Sequence, residues 1–196
     1  CPDAMNAGTP STSGSNCQSY LGRLPWQTLG LADLRDGEGD CLWYAIGFKS
    51  LFRSPLPASS RNAATALNTA TPGGITLQDA AANNVSNRVV AVIFSGGPPL
   101  AGQARTAVGT TVCGGSLNAA DYLDTGPAPG TVNNASGPTT GLYVRAPASA
   151  SFNDILVTIT EQEIAQAVAR RVLTDLRGYA NKGLIGYYTS NGNTLP

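Results

Sequence analysis

Four cysteines, Cys1, Cys17, Cys41 and Cys113, most narrow the ways this chain can fold. None stands in a Cys-x-x-Cys pair, which argues against a zinc ribbon or a thioredoxin-type redox site. An even number of widely spaced cysteines, in a chain rich in Gly, Ser and Asn, reads as two disulfides formed in an oxidising compartment. Three pairings are open. Cys1–Cys17 with Cys41–Cys113 is preferred, because the first bridge closes a short loop without periodic structure, worth roughly 3 kcal/mol in the chain-entropy picture. Cys1 also fits the lipid-carrying first residue of a mature lipoprotein, which would leave three cysteines and one odd thiol. A start at Cys1 without Met is expected of a cleaved signal or anchor, or of a portion of a longer protein.

The chemistry available to the chain is narrow. The 196 residues include no histidine, which removes Ser-His-Asp and Cys-His nucleophile pairs and the commonest catalytic zinc sets. Twelve basic residues balance twelve acidic ones, and only 12% of the chain is charged, about half the usual share. Such a chain has no basic footprint for nucleic acid or an anionic membrane. No run of about 20 apolar residues is present to span a bilayer. One domain over residues 1–196 is expected, since no charged or Pro-rich linker separates two periodic halves.

Periodicity then places the elements. Residues 1–19 read as a polar, disulfide-closed loop. Cys41–Phe48 is an aromatic, apolar strand after the turn signals Asp36–Gly37 and Glu38–Gly39. Short strands are expected at Gly74–Leu77, Leu142–Arg145 and Ile155–Ile159. The β-branched run Val89–Phe94, closed by Gly-Gly-Pro-Pro, is the expected central strand. A short helix is expected at Ser116–Leu123, with irregular chain over much of 53–84 and 95–141. Thr160 and Glu163 form a capping box that opens one long helix over 160–188, followed by a tail at 189–196. Ile164, Val168, Val172, Leu176 and Tyr179 recur at helical spacing and give it an apolar face. The fold class is α+β: a small antiparallel sheet, long irregular loops and one long C-terminal amphipathic helix.

With these residues in hand, the run Gly22–Ile46 (GRLPWQTLGLADLRDGEGDCLWYAI) resembles the globular part of type IV pilin-like, prepilin-type proteins, related to the pseudopilins of type II secretion. Val89–Gly102, Asp121–Leu123 and Phe152–Val157 continue the likeness in the expected order. In that family a hydrophobic N-terminal helix ends in a segment like the Gly183–Tyr188 and Asn193–Pro196 stretches here, and Cys-Pro-Asp follows directly. Here Cys1–Pro2–Asp3 opens the chain without that helix. Joining the end to the start would write GLIGYYTSNGNTLPCPD, as expected of one unit in a repeated chain. The resemblance implies a non-catalytic structural subunit of a bacterial extracellular filament, exported through the inner membrane, with copies of itself or other pilin-like subunits as partners. Ile164, Val168, Val172, Leu176, Leu184, Tyr187 and Tyr188 are the expected interface, Tyr being enriched at such contacts.

Other chemistries are weighed against this one. Asp33, Asp36, Glu38 and Asp40 alternate with glycines as oxygen ligands around calcium would, but the spacing is not that of an EF-hand and Arg35 interrupts it; a solvated turn is expected. No cofactor is expected. Asp121, Asp124, Asp154, Glu161 and Glu163 would be the acids of a secreted carboxylate-dependent hydrolase, with Glu163 already explained as a cap and Asp154 as a turn residue. A surface adhesin using loops 53–84 and 95–141 is the alternative to the filament subunit. Trp26 and Trp43 are expected in the core.

Overall fold

The computed structural model describes residues 1–3, 8–10, 12–13, 16–17, 19–47, 73–105, 113, 115–177, 183 and 186, leaving aside the side chains at 13, 16 and 17. Leu184, Tyr187, Tyr188 and residues 48–72 lie outside them. Eight strands are named in chain order: β1 (Thr12–Ser13), β2 (Asn16–Cys17), β3 (Leu21–Arg23), β4 (Trp43–Ile46), β5 (Ile75–Gln78), β6 (Asn84–Ser95), β7 (Leu142–Val144) and β8 (Ile155–Thr160). The α-helices named among the described residues are the short α1 (Gly137–Thr140) and the 17-residue α2 (Glu161–Arg177). This is the α+β arrangement read from the sequence, with long loops and one long C-terminal helix.

The sheet is organised on β6. Its apolar run pairs antiparallel with β4 (Trp43↔Phe94 to Ile46↔Ala91) and with β8 (Phe94↔Leu156, Ile93↔Val157). Both partners address the same β6 residues, so they occupy its two opposite edges. β5 pairs with the earlier half of β6 on the β4 side, since Val89 faces both Ile75 and Thr160. β4 and β5 therefore meet end to end, and a Cβ at Gly47 would clash with the Gly73 carbonyl oxygen. β3 extends the sheet beyond β4, and Asp3 extends it again through two main-chain hydrogen bonds with Arg23.

Several expectations need correction. The sheet is mixed, because β5 and β7 run parallel. β6 starts at Asn84, five residues early, because the Asp79 carboxylate accepts from the Ala81 and Asn83 N–H groups and turns β5 tightly back into β6. The helix expected at Ser116–Leu123 shrinks to a 3-10 turn at Ala119–Asp121. Tyr122 and Leu123, consecutive and both buried, leave the helical path to reach the core. Trp26 is half-buried and lies against Gly8, where its ring leaves no room for a Cβ and φ is +74°. Residues 1–19 also carry a small hairpin, β1 with β2.

One face of the sheet holds the core: Leu21, Trp43, Ala45, Ile75, Leu77, Val89, Val92, Phe94, Tyr143 and Leu156 against Tyr122 and Leu123. The covering layer comes from residues 113–154 outside β7. Its beginning is fastened by the Cys41–Cys113 disulfide, which links positions 72 residues apart. Cys1 is also disulfide-bonded. Closing a loop that long removes much of the unfolded chain's freedom. Replacing Cys41 and Cys113 together by Ala should lower the unfolding free energy by about 2–5 kcal/mol, read as a reduced urea midpoint under non-reducing conditions.

Candidate functional site: buried carboxylates and an uncovered helix

The acidic turn before β4 is held internally. Asp33 pairs with Arg35 at 2.7 Å. Asp36 Oδ1 accepts the N–H groups of Glu38 and Asp40, and its Oδ2 accepts the Ser95 hydroxyl. Asp40 pairs with Arg105 at 2.8 Å. The carboxylates of Asp33, Asp36 and Asp40 thus serve a turn and its anchoring to the β6 end. Among the described residues no group of three metal-ligating side chains occurs.

Arg105 and Arg23 organise the ground beneath that turn. Arg105 also donates to the carbonyls of Gly96, Gly97 and Asp121. Its guanidinium lies 4.6 Å from the Tyr122 ring centroid, while that of Arg23 lies 4.2 Å from both Tyr122 and Trp43. Two cations on aromatic faces in a desolvated site are attracted by the ring quadrupoles. Arg23 is itself fully buried and donates to the Cys41 carbonyl. Burial lowers its pKa from the usual arginine value.

Asp124 and Asp154, candidates for a catalytic pair, instead form a reciprocal clamp. Asp154 Oδ2 accepts from the Asp124 N–H at 2.9 Å and from Asn134 Nδ2 at 2.8 Å. Asp124 Oδ2 accepts from the Asn153 N–H at 2.7 Å, and its Oδ1 from Gln103 at 2.9 Å. Each acid thereby orders the main chain beside the other and locks the covering layer to the start of β8. Asp154, directly before β8 as expected, is buried, and its Oδ1 has no hydrogen-bond partner among the described residues. Asp121, the third acid, accepts from Ser116 Oγ. An open cleft of about 380 Å³ beside Asp124 is lined by Leu100–Gln103, Thr125, Asn133 and Ser151.

Burial pushes Asp154 up to about 7, against the hydrogen bonds from Asn134 and Asp124, which favour the anion. Asp124 is shifted the same way by burial. A folded pKa above the unfolded value of 3.8 means that the native state holds the proton more tightly between about pH 4 and pH 7. Stability from this group is present below that window and is lost as pH rises through it. The unfolding free energy should fall between about pH 4 and pH 7, with a slope up to about 1.4 kcal/mol per pH unit for one proton. Asp154→Asn should flatten most of that slope in urea titrations across the range.

At the other end of β8 the chain passes directly into α2. Thr160, the last strand residue, is also the helix cap: Glu163 Oε2 accepts from the Thr160 N–H and hydroxyl, and the Glu163 N–H donates to Thr160 Oγ1. Those bonds hold Glu163 below the usual carboxylate range. Glu161 is fully buried and ion-paired with Arg88 of β6. It anchors the base of the helix.

Beyond its first turn α2 stands clear. Every residue from Gln166 to Arg177 is exposed. Val168 is 56% exposed, Val172 49%, Leu173 63% and Leu176 45%, while Ile164 is half-buried near the base. Four of the seven expected interface residues, Ile164, Val168, Val172 and Leu176, are thus brought together on one element. Sequence reasoning missed Ile155 and Val157 of β8, 65% and 60% exposed. Their alternation with buried Leu156 is the signal that marks them.

No family model, curated protein or solved structure matches the chain.

Proposed function

We propose that this domain is a non-catalytic structural subunit of a bacterial extracellular filament, pilus- or pseudopilus-like, exported through the inner membrane and assembled with copies of itself or other pilin-like subunits. The observation that carries this reading is α2, a capped helix whose apolar residues Val168, Val172, Leu173 and Leu176 meet solvent. Water does not favour such a stripe, and a helix of this length without packing is marginal. A helix held at its base and bare along its length suits insertion into a neighbour. The ordered likeness of Gly22–Ile46 and the later segments to pilin-like proteins supports the same reading. Among the described residues no helix is long and apolar enough to cross a membrane. The carboxylates best suited to acid–base work, Asp124 and Asp154, are occupied in fastening the covering layer.

Electron microscopy of the purified chain tests the proposal. Ordered fibres are expected, and a Val168→Asp, Val172→Asp double variant should lose them. Its unfolding midpoint should stay near the wild-type value, because both positions are exposed. Wild-type protein that remains monodisperse at every concentration would overturn the reading.

A further inference from the structure

The two faces of the sheet are unequally covered. The core face carries Trp43, Phe94 and Leu156 in register, whereas the residues one step along each strand point the other way. Cross-strand pairing therefore sets Tyr44, Ile93 and Val157 in one row on the outer face and Ile46, Ala91 and Ile159 in the next, with Ile155 opposite Ser95. Ile155 and Val157 are exposed, and Tyr44, Ile46, Ile93 and Ile159 are half-buried. Ala91 in the middle is buried, so this apolar strip is open to solvent on β8 and partly shielded toward β4.

We infer that this outer face, centred on Tyr44, Ile93 and Val157, seats the α2 helix of a second copy. The inference rests on the subunit reading and names the surface that receives the helix. The chain's own α2 is badly placed for the role. It begins at the residue after β8 ends, with no loop to turn it back, and only Glu161, Ile164 and Ala165 are shielded. A second copy has no such tether.

The dimensions agree. Seventeen helical residues span about 25 Å, and the six residues of β8 about 20 Å, so the apolar stripe of α2 runs the length of the strip. The four exposed apolar side chains of α2, with Ile155, Val157 and the half-buried row beside them, would remove on the order of several hundred Å² of apolar surface from water, the range of a weak contact that gains by repetition along a chain. Charge does not oppose the union, since twelve basic and twelve acidic residues leave no net repulsion between copies. Helix into sheet is a heterologous contact, which leaves one helix and one face free at the two ends and propagates into a chain.

Complementation tests this. Val172→Asp spoils the helix and leaves the sheet; Val157→Lys spoils the sheet and leaves the helix. Ile155→Lys replaces the latter if Val157→Lys lowers the unfolding midpoint. In sedimentation velocity each variant alone should associate at least ten-fold more weakly than wild type. Their equimolar mixture should form a 1:1 heterodimer of wild-type affinity, joining the intact helix of one to the intact face of the other. Wild-type association with no rescue in the mixture would overturn the helix-on-sheet contact and leave the subunit reading standing. Wild-type protein that stays monomeric throughout would overturn both.

Discussion

The fold depends on the hydrogen bonding of one strand on both edges. Val89–Phe94 within β6 has β4 on one side and β8 on the other, and its earlier half carries β5. A strand in that position satisfies its own backbone only by fixing the register of its neighbours, and each register decides which side chains face the core. Slipping β8 by one residue would turn Leu156 outward and bring Val157 in. Everything described for the outer face follows from that pairing.

On the core side the sheet is covered by chain with little regular structure, which must be held by side chains. The disulfide at Cys113, the guanidinium of Arg105 and the Asp124–Asp154 clamp divide that task. Neutral loops rich in Ser, Thr, Asn and Gly supply few strong interactions, so the few charged groups are placed where the main chain needs donors and acceptors. One consequence is a carboxyl whose burial raises its pKa to about 7, in a position where it orders two loops.

Much of the fold was legible in the residues. Val89–Phe94 declared itself by β-branched content, and the Thr160–Glu163 box marked the start of α2 because both partners lie within one turn. Ile155–Ile159 was placed to within a residue. The first five residues of β6 were not legible, since Asn84, Ser86, Asn87 and Arg88 are polar and the strand there is set by the Asp79 turn. The expected helix at Ser116–Leu123 failed for a comparable reason: two adjacent side chains were both required in the core, and packing outweighed local propensity.

What the sequence by itself determined was local: which runs are strands, where the long helix begins, and which of its residues form an apolar stripe. Those features arise from spacing and from bonds between residues a few positions apart. Only the tertiary structure decided that Asp154 is buried and Asp33 is not, that β5 and β7 run parallel, and that Ile155 and Val157 lie on a face α2 leaves bare. Burial and exposure are properties of strand pairing between segments tens of residues apart, and no local pattern carries that information.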